Sequence, residues 1–243
     1  MASPVERPAP SLGLMPFAQT PGPWSGDTWL LLRGGQRTVQ RAGAPAGVLG
    51  EDQIGAVLRY RIAQAGGRNI ALHARASKAL SENGEAELAI GLQARLLASI
   101  PVVAHVEGRL ALRDDETELR PAAFVTTGFD DVALPLGAKA RGYGQAGYVG
   151  GAFATPFADG HIVASREVAS FDLAPSVAGK VEVGAGAWGG AQEGAARIDV
   201  GPEASVTLQI ADVPLRIAAS YRVRVGGDAM PADGAAITIS TGF

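Results

Sequence analysis

The chain of 243 residues contains no cysteine. That excludes disulfides and thiolate metal sites, and it suits a chain that passes through an oxidising compartment. Its three histidines, His73, His105 and His161, are too scattered for a metal cluster, and no cofactor is expected. No run of about 18 apolar residues occurs, so no transmembrane helix is available. Aromatics amount to only 6% of the residues. A net charge of −3 and a pI near 5.7 give no reason to expect a nucleic-acid partner. The start, Met1-Ala-Ser-Pro-Val-Glu, lacks the basic and apolar regions of a secretory leader.

Apolar residues nevertheless make up 47% of the chain, and the mean hydropathy is +0.14. Without long runs, those residues must be dispersed, and from Asp27 onward they fall at every second position. About twelve segments read as strands of roughly 9–11 residues, the length a tilted membrane strand needs. Ile54, Ala56, Leu58, Tyr60 and Ile62 alternate with Val57, Arg59 and Arg61. Ile70, Leu72 and Ala74 alternate with His73, Arg75 and Ser77, and Leu88, Ile90 and Leu92 with Glu87, Gln93 and Arg95. Val102, Val106 and Leu110 alternate with His105, Glu107 and Arg109, and Leu119, Ala123 and Val125 with Arg120 and Thr126. Lys139, Arg141, Tyr143 and Gln145 share a face. Val181 and Val183 oppose Lys180 and Glu182, Ile198 and Val206 oppose Arg197, Asp199 and Glu203, and Ile217, Tyr221 and Val223 oppose Arg216, Arg222 and Arg224. The faces of segment 161–171 cannot be assigned. Pro121 is expected near a strand end, because proline cannot donate to a ladder. Residues 1–26 carry Pro4, Pro8, Pro10, Pro16, Pro21 and Pro23 and are expected to be an extended or disordered lead-in to a single domain over 27–243.

The last segment alternates to the terminus: Ile237, Ile239, Thr241 and Phe243 on one face, Ala236, Thr238, Ser240 and Gly242 on the other. This ending resembles the closing strand of Gram-negative outer-membrane β-barrels. There, a terminal Phe after alternating apolar residues is the signal read by the barrel-assembly machinery. The resemblance implies an all-β fold, an antiparallel transmembrane β-barrel of about 12 strands, with the lipid bilayer and the assembly machinery as partners. It implies a bacterial outer-membrane location, with the leader removed or upstream. Loop lengths agree with it. Turns near 99–101, 130–131, 172–175 and 211–214 are short, whereas alternate connections are longer, 35–53 most of all. The soluble alternative is a barrel or sandwich with its apolar faces inward. The aromatic girdle, Tyr60, Phe129, Tyr148, Tyr221 and Phe243, is thin for a membrane barrel.

In a membrane barrel the polar face lines the interior. Arg59, Arg61, Arg75, Arg95, Arg109, Arg141, Arg197, Arg216, Arg222 and Arg224 are the candidate anion-binding residues of that lumen. With Arg120, Lys139 and Lys180 added, and Glu87, Glu107, Glu182, Asp199 and Glu203 set against them, the net interior charge is about +8. A positive lumen between low-dielectric walls would favour anions. The first functional expectation is therefore a transport or export pore for an anionic solute or polysaccharide, by analogy with the export barrels of exopolysaccharide secretion. The second is a closed structural or surface-anchoring barrel in which Arg and Glu simply pair. The third is an autotransporter-type translocator. No enzymatic activity is expected. His105 and Glu107 share a face as a base and its orienter would, but no Ser nucleophile is placed with them; His73 and Ser77 share a face in the same way, yet both faces read as lumenal, whereas the His and Ser of outer-membrane lipases and deacylases face the lipid. The glycine runs 142–147 and 184–190 precede no helical pattern, so they are expected to serve close packing around Tyr143 and Trp188 rather than a dinucleotide.

Overall fold

In a computed structural model, residues 22–34, 52–80, 84–113, 116–152, 154–229, 231 and 233–243 are described. Most of the Pro-rich lead-in and the bulk of the long connection after Arg33 lie outside the described residues. The chain forms twelve strands: β1 (Trp24–Arg33), β2 (Gln53–Ala65), β3 (Arg68–Ala79), β4 (Ala86–Arg95), β5 (Val102–Arg113), β6 (Glu116–Ala133), β7 (Lys139–Val149), β8 (Thr155–Ala174), β9 (Val177–Gln192), β10 (Ala195–Ile210), β11 (Val213–Gly227) and β12 (Gly234–Gly242). Each pairs antiparallel with its neighbour in sequence, and β1 pairs with β12, closing the barrel. Closure leaves no unpaired edge.

The period-two pattern decides which side each residue takes. Along β2, Val57 and Arg59 are buried while Ile54, Leu58 and Tyr60 are exposed. Along β11, Arg216, Ala218, Ser220 and Arg222 are buried while Ile217, Tyr221 and Val223 are exposed. The arrangement is that of a soluble core turned inside out, with Arg, Glu, Ser and Thr within and Leu, Ile and Val without. Both chain ends of the barrel lie at one end, with the connections 66–67, 96–101, 134–138, 175–176 and 211–212. The opposite end, termed the far end below, carries the connection 34–52. Gly66 and Gly67, both at positive φ, make the two-residue turn from β2 to β3 that right-twisted strands favour.

The closing seam gives Phe243 a structural task. Its backbone N–H donates to the Gly26 carbonyl at 2.9 Å, and Gly26 N–H donates to its carbonyl at 3.1 Å. The ring covers Gly26 so closely that a Cβ there would lie 2.9 Å from it. Trp24 and Tyr60, with ring centroids 4.8 Å apart, extend the aromatic group on the same part of the outer wall.

Several strand limits differ from the sequence expectation. β1 begins at Trp24, ahead of the boundary expected at 27. Asp130 and Asp131, expected as a turn, lie within β6; the register slips between Phe129 and Val132, and Asp131 takes φ 56°. The true turn follows around Pro135–Gly137. Residues 155–160, expected as a connection, open the 20-residue β8. Its register against β9 shifts at Glu167/Ala169 and again at Asp172/Ala174, which is why no single alternation fits that segment. Pro121 is not at the end of β6. It sits where the β6–β7 ladder ends, its carbonyl accepting Gly150 N–H at 2.8 Å, so its missing N–H interrupts no pairing.

Candidate functional site

The interior of the barrel is the candidate site, and its charges fall into groups. Near the middle, Glu107 on β5 accepts from three side chains: His73 Nε2 at 2.7 Å, Arg75 Nη2 at 2.9 Å and Arg109 Nε at 2.6 Å. Arg75 also donates to Glu87 at 2.6 Å. The Arg109 guanidinium lies over the Phe124 and Phe157 rings, 5.4 and 5.5 Å from their centroids. A second group links β7, β9, β10 and β11: Arg141 on β7 pairs with Glu203 on β10, and Arg216 on β11 meets Glu203 and, on β9, Glu182, each at 3.2 Å. Arg216 also donates to Ser205 at 2.6 Å, and Arg141 to Ser165 at 3.1 Å. The space among Asp130, Lys180, Glu182 and Arg216 is a cavity of about 10 Å³, room for one water.

Two simpler pairs flank these groups. Arg59 donates to Asp27 at 2.7 Å, and Arg120 holds Glu85 with two contacts of 2.9 and 3.2 Å and Glu118 at 2.8 Å. Gln145 donates to Asp159, beside Tyr143 and His161. At the far end, Asp199 on β10 meets Arg197 Nε at 2.7 Å and Arg33 Nη2 at 2.9 Å. There Arg222 lies flat on Trp188, 4.4 Å from the ring centroid, with Nε donating to Ser220 at 3.2 Å. Gly186 makes room for that ring, since a Cβ on it would stand 2.7 Å from the indole.

Of the ten arginines expected in the lumen, Arg59, Arg75, Arg109, Arg141, Arg197, Arg216 and Arg222 point inward and are largely buried. Arg61 caps the Gly22 carbonyl at 2.6 Å near the end of β2. Arg95 turns to the carbonyls of Leu97 and Ala98 at the β4–β5 turn. Arg224 holds the carbonyls of Asp228 and Ala229 at the far rim. Lys139 sits at the opposite rim, 3.2 Å from Asp131.

Five inward charges were missed: Arg33, Asp27, Glu85, Asp130 and Asp159. Glu85 could have been found by stepping the period back two residues from Glu87, and Asp159 by stepping back from His161. The interior balance therefore changes. Among the described residues, the inward cations are Arg33, Arg59, Arg75, Arg109, Arg120, Arg141, Lys180, Arg197, Arg216 and Arg222, against carboxylates at 27, 85, 87, 107, 130, 159, 182, 199 and 203. The surplus is about one positive charge rather than eight.

The paired histidines also rearrange. Glu107 takes His73, not His105, which instead contacts Thr126 Oγ1 at 3.0 Å and stacks on Phe124. Ser77 is met by Arg75 at 3.3 Å, not by His73. No group of three or more potential ligands for a metal ion forms among the described residues.

No family model and no curated protein matches the sequence. Solved structures with a similar fold include the β-domain of the Bordetella autotransporter BrkA, at 12% identity and TM-score 0.48, covering 91% of this chain and 98% of that one. LpxR from Salmonella typhimurium is similar at 11% identity and TM-score 0.44, with 90% and 99% covered. An outer-membrane channel from Pseudomonas putida F1 is similar at 9% identity and TM-score 0.44, with 100% and 99% covered.

Proposed function

We propose that the chain spans a bacterial outer membrane and serves there as a narrow transport pore for small solutes. One observation carries this reading: the outer wall is apolar and the interior is lined by charged and polar side chains. Charges withdrawn from water cost several kcal/mol each, roughly, before pairing returns part of it. A barrel meant only to fill itself could use apolar side chains at lower cost. An interior of Arg–carboxylate pairs instead keeps a path that water and ions can enter. With so small a surplus of positive charge, the preference for anions is weak, and the bridging pairs make the path narrow. Passage of a polysaccharide chain, the finer expectation, would require the Arg141–Glu203 and Arg33–Asp199 pairs to open, so small solutes are the better cargo.

The second reading, a closed barrel without conductance, draws on those same bridges, which join strands three apart around the wall. Reconstitution in planar bilayers under a KCl gradient separates the two. The pore reading expects small, stable conductance steps, a slight anion preference, and a shift toward cations in Arg222→Glu. Membrane-inserted protein that gives no steps assigns the chain to the closed reading.

A further inference from the structure

Most of the interior charges cancel locally. Arg75 and Arg109 face Glu87 and Glu107, Arg141 and Arg216 face Glu182 and Glu203, Arg59 faces Asp27, and Arg120 faces Glu85. One place is different. Arg33, Arg197 and Arg222 gather at the far end around a single buried carboxylate, Asp199.

Their height in the barrel is set by register. Arg33 pairs with Ala236, which pairs with Ser220, two residues from Arg222. On the other side, Asp199 pairs with Trp188 and with Arg224. Asp199 brings one negative charge to three guanidinium groups; Asp233, which is exposed, and Glu203, which pairs with Arg141 and Arg216, act on Arg33 and Arg222 without forming an ion pair with them. Asp199 does not use both oxygens: Oδ1 has no donor, and Oδ2 takes Arg197 Nε and Arg33 Nη2. Arg33 Nε and Arg197 Nη2 are buried without an acceptor, in side chains only 1% and 3% exposed. Arg33 Nη2 reaches Asp199 as an ion pair without hydrogen-bond geometry. Among the described residues no carboxylate pairs with Arg222, whose guanidinium is held flat by Trp188 and Ser220. Arg197 is held by the Ala229 and Pro231 carbonyls in addition to Asp199.

We propose that Arg33, Arg197 and Arg222 form a binding site for a single oxyanion group, the phosphate or carboxylate of a small solute. Buried N–H donors without acceptors are costly, and guanidinium forks match the oxygens of such a group two at a time. Positions fixed in advance, by Trp188 under Arg222 and by backbone carbonyls on Arg197, lower the ordering cost of binding. The cluster lies toward the far end of the barrel, where β1, β10 and β11 meet the connections there. The site does not require conductance, so it stands or falls apart from the pore.

The test uses the folded full-length chain in a nonionic detergent. Inorganic phosphate or acetate replaces chloride at constant ionic strength, and the thermal unfolding midpoint and tryptophan emission are followed. The expected result is a saturable rise in the midpoint with a change in emission, from Trp188 beside Arg222. Arg222→Gln should weaken the apparent affinity about tenfold or more, the loss of a charge-assisted hydrogen bond. Arg222 makes no ion pair among the described residues, so this variant should fold. Arg95→Gln, at the opposite end, should leave the response unchanged. Phosphate answering while acetate does not would assign the site to phosphate esters, and the reverse to carboxylates. A response that does not saturate, or that is equal in the wild type and Arg222→Gln, overturns the proposal.

Discussion

Glu107 accepts from His73, Arg75 and Arg109, and its side chain is wholly buried. Two donors come from β3 and one from β5, so the carboxylate on β5 ties β3 to β5 from within, across the intervening β4. Removing its charge leaves Arg75 to Glu87 alone and strips Arg109 of its only short ion contact, since its distance to Glu87 is 4.0 Å. Breaking a buried pair on one side costs about 3–5 kcal/mol, because the remaining charge stays desolvated. Glu107→Gln should therefore lower the urea unfolding free energy in vesicles by about 3 kcal/mol, the low end of that range, as Glu87 still holds Arg75. Glu118→Gln is the control. Its side chain is 27% exposed at the rim, and exposed pairs contribute at most about 1 kcal/mol. Equal losses in the two variants would show that Glu107 is one rim-like contact among many, not a tie between strands.

At the scale of the element, β12 was legible in full. Ile237, Ile239 and Thr241 alternate without interruption, and its partners β1 and β11 pair with it in unbroken register. What the sequence did not disclose is why the last residue is aromatic: the Phe243 ring fills the space over Gly26, across the seam that closes the barrel. The two should be coupled. Gly26→Ala places a methyl against the ring and should reduce the fraction of chain that migrates as folded barrel in unboiled gels; in a Phe243→Ala background the same change should cost much less. Equal costs in both backgrounds would mean that the ring and the glycine do not touch in the folded wall. β6 and β8 were less legible. A period of two is readable only while the ladder keeps step, and both strands contain residues that the partner strand does not match. The slip in β6 leaves Asp130–Asp131 unmatched, so they resembled a turn, whereas 155–160 keeps step with β7 and resembled a loop because it carries the turn residues Pro156, Asp159 and Gly160.

For the molecule as a whole, alternation alone fixed a two-sided wall but not which side meets water, since a soluble barrel carries the same pattern with its faces exchanged. The structure resolves that ambiguity by closure. The interior of a ring this size is taken by Arg59, Arg75, Glu107, Arg141 and Arg216, which leaves Ile90, Val106 and Leu119 outside at 68%, 57% and 69% exposure. An exposed apolar wall of this extent is what lipid solvates and water does not. The sequence count of interior charge erred on both sides: it assigned every polar-face cation to the lumen, whereas Arg61, Arg95, Arg224 and Lys139 stand near strand ends, on nearby carbonyls or a rim carboxylate, and it missed inward carboxylates such as Asp27, Glu85 and Asp159. The environment of the outer wall can be measured at one residue. Ile90 lies in the middle of β4 and points outward. In a bilayer, Ile90→Arg should destabilise the folded barrel by about 2–4 kcal/mol, the cost of a guanidinium near the midplane of the hydrocarbon. On a water-facing wall, the same change should stay within about 0.5 kcal/mol, as most surface substitutions do. Reversible urea unfolding in phosphatidylcholine vesicles gives the difference directly, and a loss inside that narrower range would remove lipid from the outer wall and the pore with it.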